Sequence, residues 1–191
     1  MNYVGMSFGF HDAAVSVVDK NGDILFAGHS ERYSGIKHDK HLSYGIIQDA
    51  KDYINDEVEL HYYERPWLKF LRQVRSGENP SFSQLFPRTH LSTGAYNKLG
   101  NKKIHTHGHH LSHAASAFFP SPYEEAAILT MDGVGEWSST SIYLGKGNEL
   151  NLLQEDLFPN SIGLLYATFT AYCGFKVNSG EYKLMGLAPY G

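Results

Sequence analysis

A plan that occurs twice constrains this chain more than any other feature: strand, hairpin with an acid and glycines, strand, Asn/Gly turn, strand. In the first copy Tyr3-Val4-Gly5-Met6-Ser7 alternates apolar and small residues, breaks at Gly9 to Asp12, and resumes from Ala13 to Val18. Asp19-Lys20-Asn21-Gly22-Asp23 predicts a tight turn, because Asn-Gly tolerates the positive φ such turns need, and Ile24-Leu25-Phe26-Ala27 supplies a third strand. The second copy runs from Ala126 to Met131, through a loop at Asp132 to Trp137, into Ser139 to Leu144, the turn Gly145-Lys146-Gly147-Asn148, and Leu150 to Leu153. Both first hairpins set an acid beside glycine: Gly9, His11 and Asp12 in one, Asp132, Gly133 and Gly135 in the other.

Between the meanders the periodicity predicts a helix over about 43 to 55, with Ile46, Ile47, Ala50, Tyr53 and Ile54 on one face, and a strand from Val58 to Tyr62. Pro66 opens a second helix in which Leu68, Leu71 and Val74 share a stripe and which Gly77 ends. Residues 78 to 103, with Pro80, Pro87, Gly94 and Gly100, read as a long loop or partly helical excursion, either a lid or mobile cover. A histidine-rich helix follows from about His107 to Phe119, closed by Pro120 and Pro122. The apolar stretch around Ile162 to Phe175 reads as a buried helix, Ser161 to Gly174. Two α/β lobes with paired acidic, glycine-rich hairpins are similar to the duplicated actin-like ATPase (ribonuclease H-like) fold, in which the hairpins grip phosphates from both sides of a cleft. A simple βαβ dinucleotide fold fits less well, since no Gly-x-Gly-x-x-Gly joins a strand to a helix. The seam is expected near Pro120 to Glu124, giving lobes 1–122 and 123–191. The second lobe reads as truncated, and the chain as a fragment.

Composition removes several classes of function. With 191 residues, 42% of them hydrophobic, the chain is long enough to bury a core. A formal charge of −4 with scattered lysines and arginines lacks the basic footprint of a nucleic-acid binder. Asp12 comes too early for a signal peptide, and no apolar run reaches membrane-spanning length. The single cysteine, Cys173, forms no internal disulfide and is expected as a small packed core residue, so a reducing cytoplasm is the expected location.

Three places carry candidate chemistry. His109 and His113, four apart on a helix, put two imidazoles on one face, and Asp132 at the end of the next strand adds a harder oxygen ligand. Such a nitrogen and oxygen set suits iron, zinc or manganese with positions left for substrate; two polar residues at a helix start is the plainer reading. His110, Leu111 and Ser112 stand between the pair, so position 110 lacks the glutamate of His-Glu-x-x-His, which removes the usual general base of zinc peptidases. At Gly9-Phe10-His11-Asp12, glycine lets backbone approach a phosphate and His11 is a candidate base, while an ordinary tight turn explains the same residues; Asp12 either orients His11 or caps the turn. Glu31-Arg32 and Lys37-His38-Asp39 read as a solvated polar loop or an anion-binding edge, and Ser179 to Pro189 as a surface turn or ligand loop.

Taken together, His11-Asp12-Ala13-Ala14, Arg32-Tyr33-Ser34-Gly35-Ile36-Lys37-His38-Asp39, His109 to Ala117, Met131 to Trp137 and Val177 to Gly191 resemble the NodU-type O-carbamoyltransferases across nearly the whole chain. The resemblance implies an actin-like region shared with the tRNA threonylcarbamoyl transferases. It also implies a separate YrdC-type carboxy-terminal domain that makes carbamoyl adenylate from carbamoyl phosphate and ATP. The actin-like region then passes the carbamoyl group to a hydroxyl of a sugar or natural-product acceptor. By this likeness His109, His113 and Asp132 match the metal ligands, usually of Fe2+, with a further carboxylate from beyond Gly191. His11 matches the residue that takes the proton from the acceptor. Gly9, Asp12, Gly133, Gly135 and Lys183 are the expected nucleotide contacts. With the fourth ligand and the adenylate-forming domain missing, the 191-residue chain alone is expected to hold metal weakly and to be inactive. Competing accounts are a non-catalytic nucleotide-binding module of actin-like fold, a metallohydrolase using the histidine pair, and a tRNA threonylcarbamoyl transferase, the last disfavoured by the charge.

Overall fold

The computed structural model describes residues 1–54, 57–91, 99 and 102–191, and these divide into two compact units, Met1–Gly108 and His109–Gly191. In the first unit, strands β1 (Asn2–Ser7), β2 (Ala14–Asp19), β3 (Ile24–His29), β4 (Val58–Tyr62) and β5 (Ile104–Thr106) form one sheet in the order β3-β2-β1-β4-β5. β1 pairs antiparallel with β2 and parallel with β4, β2 antiparallel with β3, and β4 parallel with β5. This mixed order fits the ribonuclease H-like lobe expected from the sequence and adds β5, where no strand was expected. The turn expected between β2 and β3 forms, with Gly22 at positive φ and the Asp19 carboxylate accepting the N–H groups of Asn21 and Asp23.

Register explains the core. Val4 lies opposite both Val17 and Leu60, and Met6 opposite Val15, so one sheet face presents contiguous apolar side chains. Helix α2 (Tyr44–Lys51) covers that face with Ile46, Ile47 and Ala50, all fully buried, and Ser43 caps it by accepting the Ile46 N–H. A short helix α1 (Glu31–Ser34) precedes it where a loop was expected. Helix α3 (Pro66–Arg75) begins at its proline as predicted but turns the expected apolar stripe outward. Leu71 and Val74 are 50% and 52% exposed, whereas Arg72 is buried and bonded to Glu78. Most of the long segment 78–103 is described up to Leu91 and contains two 3-10 turns; 92–98, 100 and 101, like the end of the helix expected at 55, lie outside the described residues.

The second unit contains α4 (His109–Phe118), the antiparallel meander β6 (Glu125–Met131), β7 (Ser138–Lys146) and β8 (Glu149–Leu157), α5 (Ile162–Tyr172) and α6 (Glu181–Leu187). The division falls at Gly108 rather than at 122, because α4 packs on the second sheet: Ala114 and Phe118 bury against Ile128 and Tyr143. Two expectations are corrected. Helix α5 is not buried: among its apolar residues Ile162, Leu165 and Phe169 stay exposed, and Cys173 beside it is exposed too. Thr168 and Thr170 turn their hydroxyls back onto the helix's own carbonyls, and Thr170 occupies the buried side in place of an apolar residue. The segment expected as a turn is helical from Glu181, whose carboxylate accepts the N–H groups of Asn178 and Gly180. No helix among the described residues is long and apolar enough to cross a membrane.

Phe118 sits directly on Gly145 of β7, where an added Cβ would lie 2.8 Å from three ring atoms. Gly145→Val is therefore expected to destabilise the protein by about 1–3 kcal/mol, from overpacking against a ring that has no free volume to enter. A chemical denaturation midpoint equal to the parent's would contradict this account of how α4 is seated.

Candidate metal centre

Helix α4 and the β6–β7 hairpin bring together His109, His113 and Asp132. One helical turn separates the two histidines, and their Nε2 atoms lie 3.1 Å apart. Asp132 Oδ2 is 2.8 Å from His109 Nε2 and 3.9 Å from His113 Nε2. Three atoms with these separations lie on a circle of about 2 Å radius, close to the ~2.0–2.2 Å bonds that zinc makes to imidazole nitrogen and carboxylate oxygen. Among the described residues this is the group of three potential ligands whose atoms converge. The His113 side chain is 56% exposed, so the point of convergence is open to solvent on that side.

The surrounding polar contacts hold each donor in place. Asp132 donates its N–H to the Ser139 carbonyl at 2.8 Å, and its Oδ1 accepts the Gly133 N–H at 2.6 Å, which aims Oδ2 at the histidines. Ser161, the N-cap of α5, donates to the Gly133 carbonyl at 2.7 Å and accepts the Leu164 N–H, so the helix start clamps the loop that carries Asp132. Gly163 makes this approach feasible, since a Cβ there would lie 2.7 Å from the Asp132 carbonyl and the Gly133 backbone. On the helix side His110, 4% exposed, hydrogen-bonds through Nδ1 with the hydroxyls of Thr130 and Ser141, both at 2.8 Å. That contact sets the rotation of α4 and hence the direction of His109 and His113.

Ionisation favours ligation. The His109 hydrogen bond, followed by nearby histidine charge and the Gly133 N–H, outweighs burial and holds the Asp132 carboxyl at about 2. Burial first, then the neighbouring His109, pushes His113 below the ordinary imidazole range. An ionised carboxylate beside an imidazole biased toward the neutral form, as His113 is, suits metal ligation.

A family model described as carbamoyltransferase N-terminus matches residues 44–191. The chain belongs to this carbamoyltransferase family. Among curated relatives, the uncharacterized protein sll1178 of Synechocystis sp. is 43% identical over a stretch covering 98% of this chain and 34% of that protein. The nodulation protein NolNO of Sinorhizobium fredii is 34% identical, covering 95% of this chain and 28% of its own length. The chain thus spans about a third of the length of the curated relatives it matches. Among solved structures, a ROK family protein from Streptococcus pneumoniae TIGR4 in complex with sucrose gives a TM-score of 0.46 at 14% identity, covering 100% of this chain and 68% of that one.

The other contacts expected from the sequence are placed differently from one another. In the first unit, Gly9 adopts φ +93° but donates its N–H to the Lys40 carbonyl at 2.8 Å. Asp12, expected at a nucleotide, instead gives one carboxylate oxygen to His11 Nδ1 at 2.7 Å and the other to His38 Nδ1 at 3.1 Å. In the second unit Gly133 and Gly135 donate their N–H groups to Asp132 Oδ1 and to the Ser138 carbonyl, so in this conformation both are engaged within the hairpin. Lys183 is exposed on α6, its ammonium 5.9 Å from the Tyr182 ring. Sequence reasoning gave no role to His110 and read His38 only as part of a solvated polar loop or an anion-binding edge. His110 had a weak signal, lying one residue from a candidate ligand on the side of α4 that must face the sheet; nothing in the sequence tied His38 to Asp12, 26 residues away.

Two outcomes follow for the full-length protein. Gly163→Ala should push the Asp132 loop off its seat and lower Co2+ affinity by roughly 10- to 100-fold, the usual cost of disturbing the support of a ligand, with the change read from the visible absorption of the bound ion. Co2+ affinity should be level above about pH 7 and fall about tenfold or more per unit below about pH 6, as protons compete for the imidazoles while Asp132 stays ionised. Calorimetric titrations giving the same affinity at pH 5 and pH 7 would exclude imidazole ligation.

Proposed function

We propose that this chain is the part of an O-carbamoyltransferase that holds a divalent ion and activates the acceptor hydroxyl. The observation that carries the proposal is the convergence of His109, His113 and Asp132 in a chain of a carbamoyltransferase family. Two nitrogen ligands and one carboxylate with open positions fit Fe2+ better than a closed four-ligand structural site. Held there, the ion supplies a Lewis acid that polarises an acyl phosphate and offsets the charge of its departing phosphate.

The donor in this reading is carbamoyl adenylate, made from carbamoyl phosphate and ATP by another domain of the full-length protein. The acceptor is a hydroxyl of a sugar or natural product. His11 takes the acceptor O–H proton at Nε2, because its Nδ1 is committed to Asp12. The acceptor oxygen uses its freed electron pair to form the new bond to the carbamoyl carbon. The bond from that carbon to the adenylate oxygen breaks, and its electron pair leaves with AMP. Lys183, exposed and positively charged, is the chain's candidate for contact with phosphate, since the N–H groups of Gly9, Gly133 and Gly135 are donated internally. A passive nucleotide-binding module would have no use for the metal cluster or for a histidine oriented through its Nδ1.

The full-length protein, purified without oxygen, should contain about one iron per chain by mass spectrometry, and the His109→Ala/His113→Ala variant should contain none. His11→Ala should keep the metal and lose carbamoyl transfer by about 10²- to 10⁴-fold, the range for a general base. Metal absent from both proteins would remove the centre of this mechanism.

A further inference from the structure

The string Arg32 to Asp39 is part of the family likeness, yet the mechanism above makes no use of it. In the first unit it is tied to the His11 hairpin through the backbone. Gly9 donates to the Lys40 carbonyl at 2.8 Å and Ala13 to the Asp39 carbonyl at 2.7 Å, while Asp39, itself buried, accepts the His41 N–H. Ser30, fully buried, donates its N–H to the Ala13 carbonyl and accepts the Ser43 N–H on its hydroxyl. These bonds deliver His38 to Asp12 by construction, not by the chance drift of exposed side chains. Both Asp12 (φ 49°) and His38 (φ 57°) sit in the left-handed region that non-glycine residues rarely adopt, and such backbone is retained where the surroundings impose it.

The outcome is one carboxylate shared by two imidazoles. A carboxylate only accepts, so each Nδ1 carries the hydrogen and each Nε2 is left with its lone pair. The three residues do not form a second converging ligand set. Burial raises the Asp12 carboxyl, but the hydrogen bonds from His38 and His11 outweigh it and keep the group below its ordinary value. Around the pair stand Phe10, whose ring lies 4.7 Å from that of His11, Lys69, whose ammonium is 5.0 Å from the Phe10 ring, and Glu31, whose carboxylate accepts the His38 N–H at 3.4 Å.

We infer that His38 is a positioning residue for the acceptor base: by occupying one oxygen of Asp12 it fixes the rotation of the carboxylate and takes a share of its charge, so that His11 is presented in the Nδ1–H form and releases its proton readily after each transfer. This rests on the reading of His11 as the base. When His11 gains a proton at Nε2 from the acceptor O–H, the imidazolium is stabilised by Asp12. A carboxylate that served His11 alone would hold that proton more strongly.

The test is the pH profile of kcat/KM for carbamoyl transfer by the full-length protein. His38→Ala leaves Asp12 wholly to His11, so the acidic limb should move up by about 0.5–1 pH unit. His38→Asn, whose amide can donate from the place of Nδ1, should restore the parent profile. Asp12→Asn should move the limb down and lower kcat by roughly 10²- to 10⁴-fold, as when the orienting carboxylate of a base is lost. An unchanged acidic limb in His38→Ala, or equal loss at every pH in His38→Ala and His38→Asn, overturns the inference. If His11→Ala abolishes transfer while the His38 profiles match the parent, this inference alone fails. Full transfer by His11→Ala overturns the base assignment and this inference with it.

Discussion

The seating of α4 on the β6–β7 sheet is the interaction on which the candidate metal centre depends. Two ligands come from the helix and one from the hairpin, so the distance between Asp132 and the histidines is set by packing between those elements and not by local sequence. Phe118 against Gly145 fixes one end of the helix, and His110 between Thr130 and Ser141 fixes the other. An apolar contact alone would permit rotation about the helix axis, which would carry His109 and His113 away from Asp132. The two hydroxyl contacts to a buried imidazole are directional and remove that freedom.

Electrostatics points the same way as packing. The centre places a carboxylate held at about 2 beside histidines whose protonated forms are disfavoured by burial. Protonating His113 is thus an unfavourable way to balance the negative charge, whereas a divalent cation on the point of convergence would balance it while satisfying all three donor atoms at once. The His11 hairpin in the other unit shows the opposite arrangement. There the imidazoles flank a carboxylate instead of converging with it, and both stay exposed, which suits proton exchange with solvent instead of metal ligation.

What was legible in the sequence was whatever local periodicity or turn chemistry dictates. The alternation around Val4 and Val15, the Asn21-Gly22 turn, the Ile46-Ile47-Ala50 face and the Pro66 helix start all express constraints that act within a few residues. The His109–His113–Asp132 set was legible because helical spacing joins the first two, and a short strand ending at the third leaves few other places for it. Features set by distant partners were not. β5 has three residues, too few to show a period, and exists because Leu60 and Tyr62 of β4 pair with Ile104 and Thr106. The outward turn of Leu71 follows from the burial of Arg72, which pairs with the exposed Glu78, and the exposure of α5 and Cys173 from which surfaces pack on that helix, neither of which hydrophobic composition reveals. The sharing of Asp12 by His11 and His38 depends on backbone bonds from Gly9 and Ala13 to Lys40 and Asp39.

The two units differ in how much of their order can come from burial. In the first, both strands flanking β1 and a helix contribute to one continuous apolar cluster. In the second, the buried cluster consists of Ala114, Phe118, Ile128 and Tyr143, while Leu129 and Met131 on the other face of β6 and much of α5 remain exposed. A unit with so small a core has more to gain from a ligand that bridges its elements. An ion held by His109, His113 and Asp132 would link residues 23 apart in sequence and on different elements. Binding to the folded form alone adds RT ln(1 + [L]/Kd), ~2.7 kcal/mol at a hundredfold excess over Kd, a large share of the ~5–15 kcal/mol by which domains are stable. A metal held at this candidate site would therefore be coupled to the folding of the unit that builds it: the contacts that orient the three residues are the ones that a bound ion would in turn reinforce.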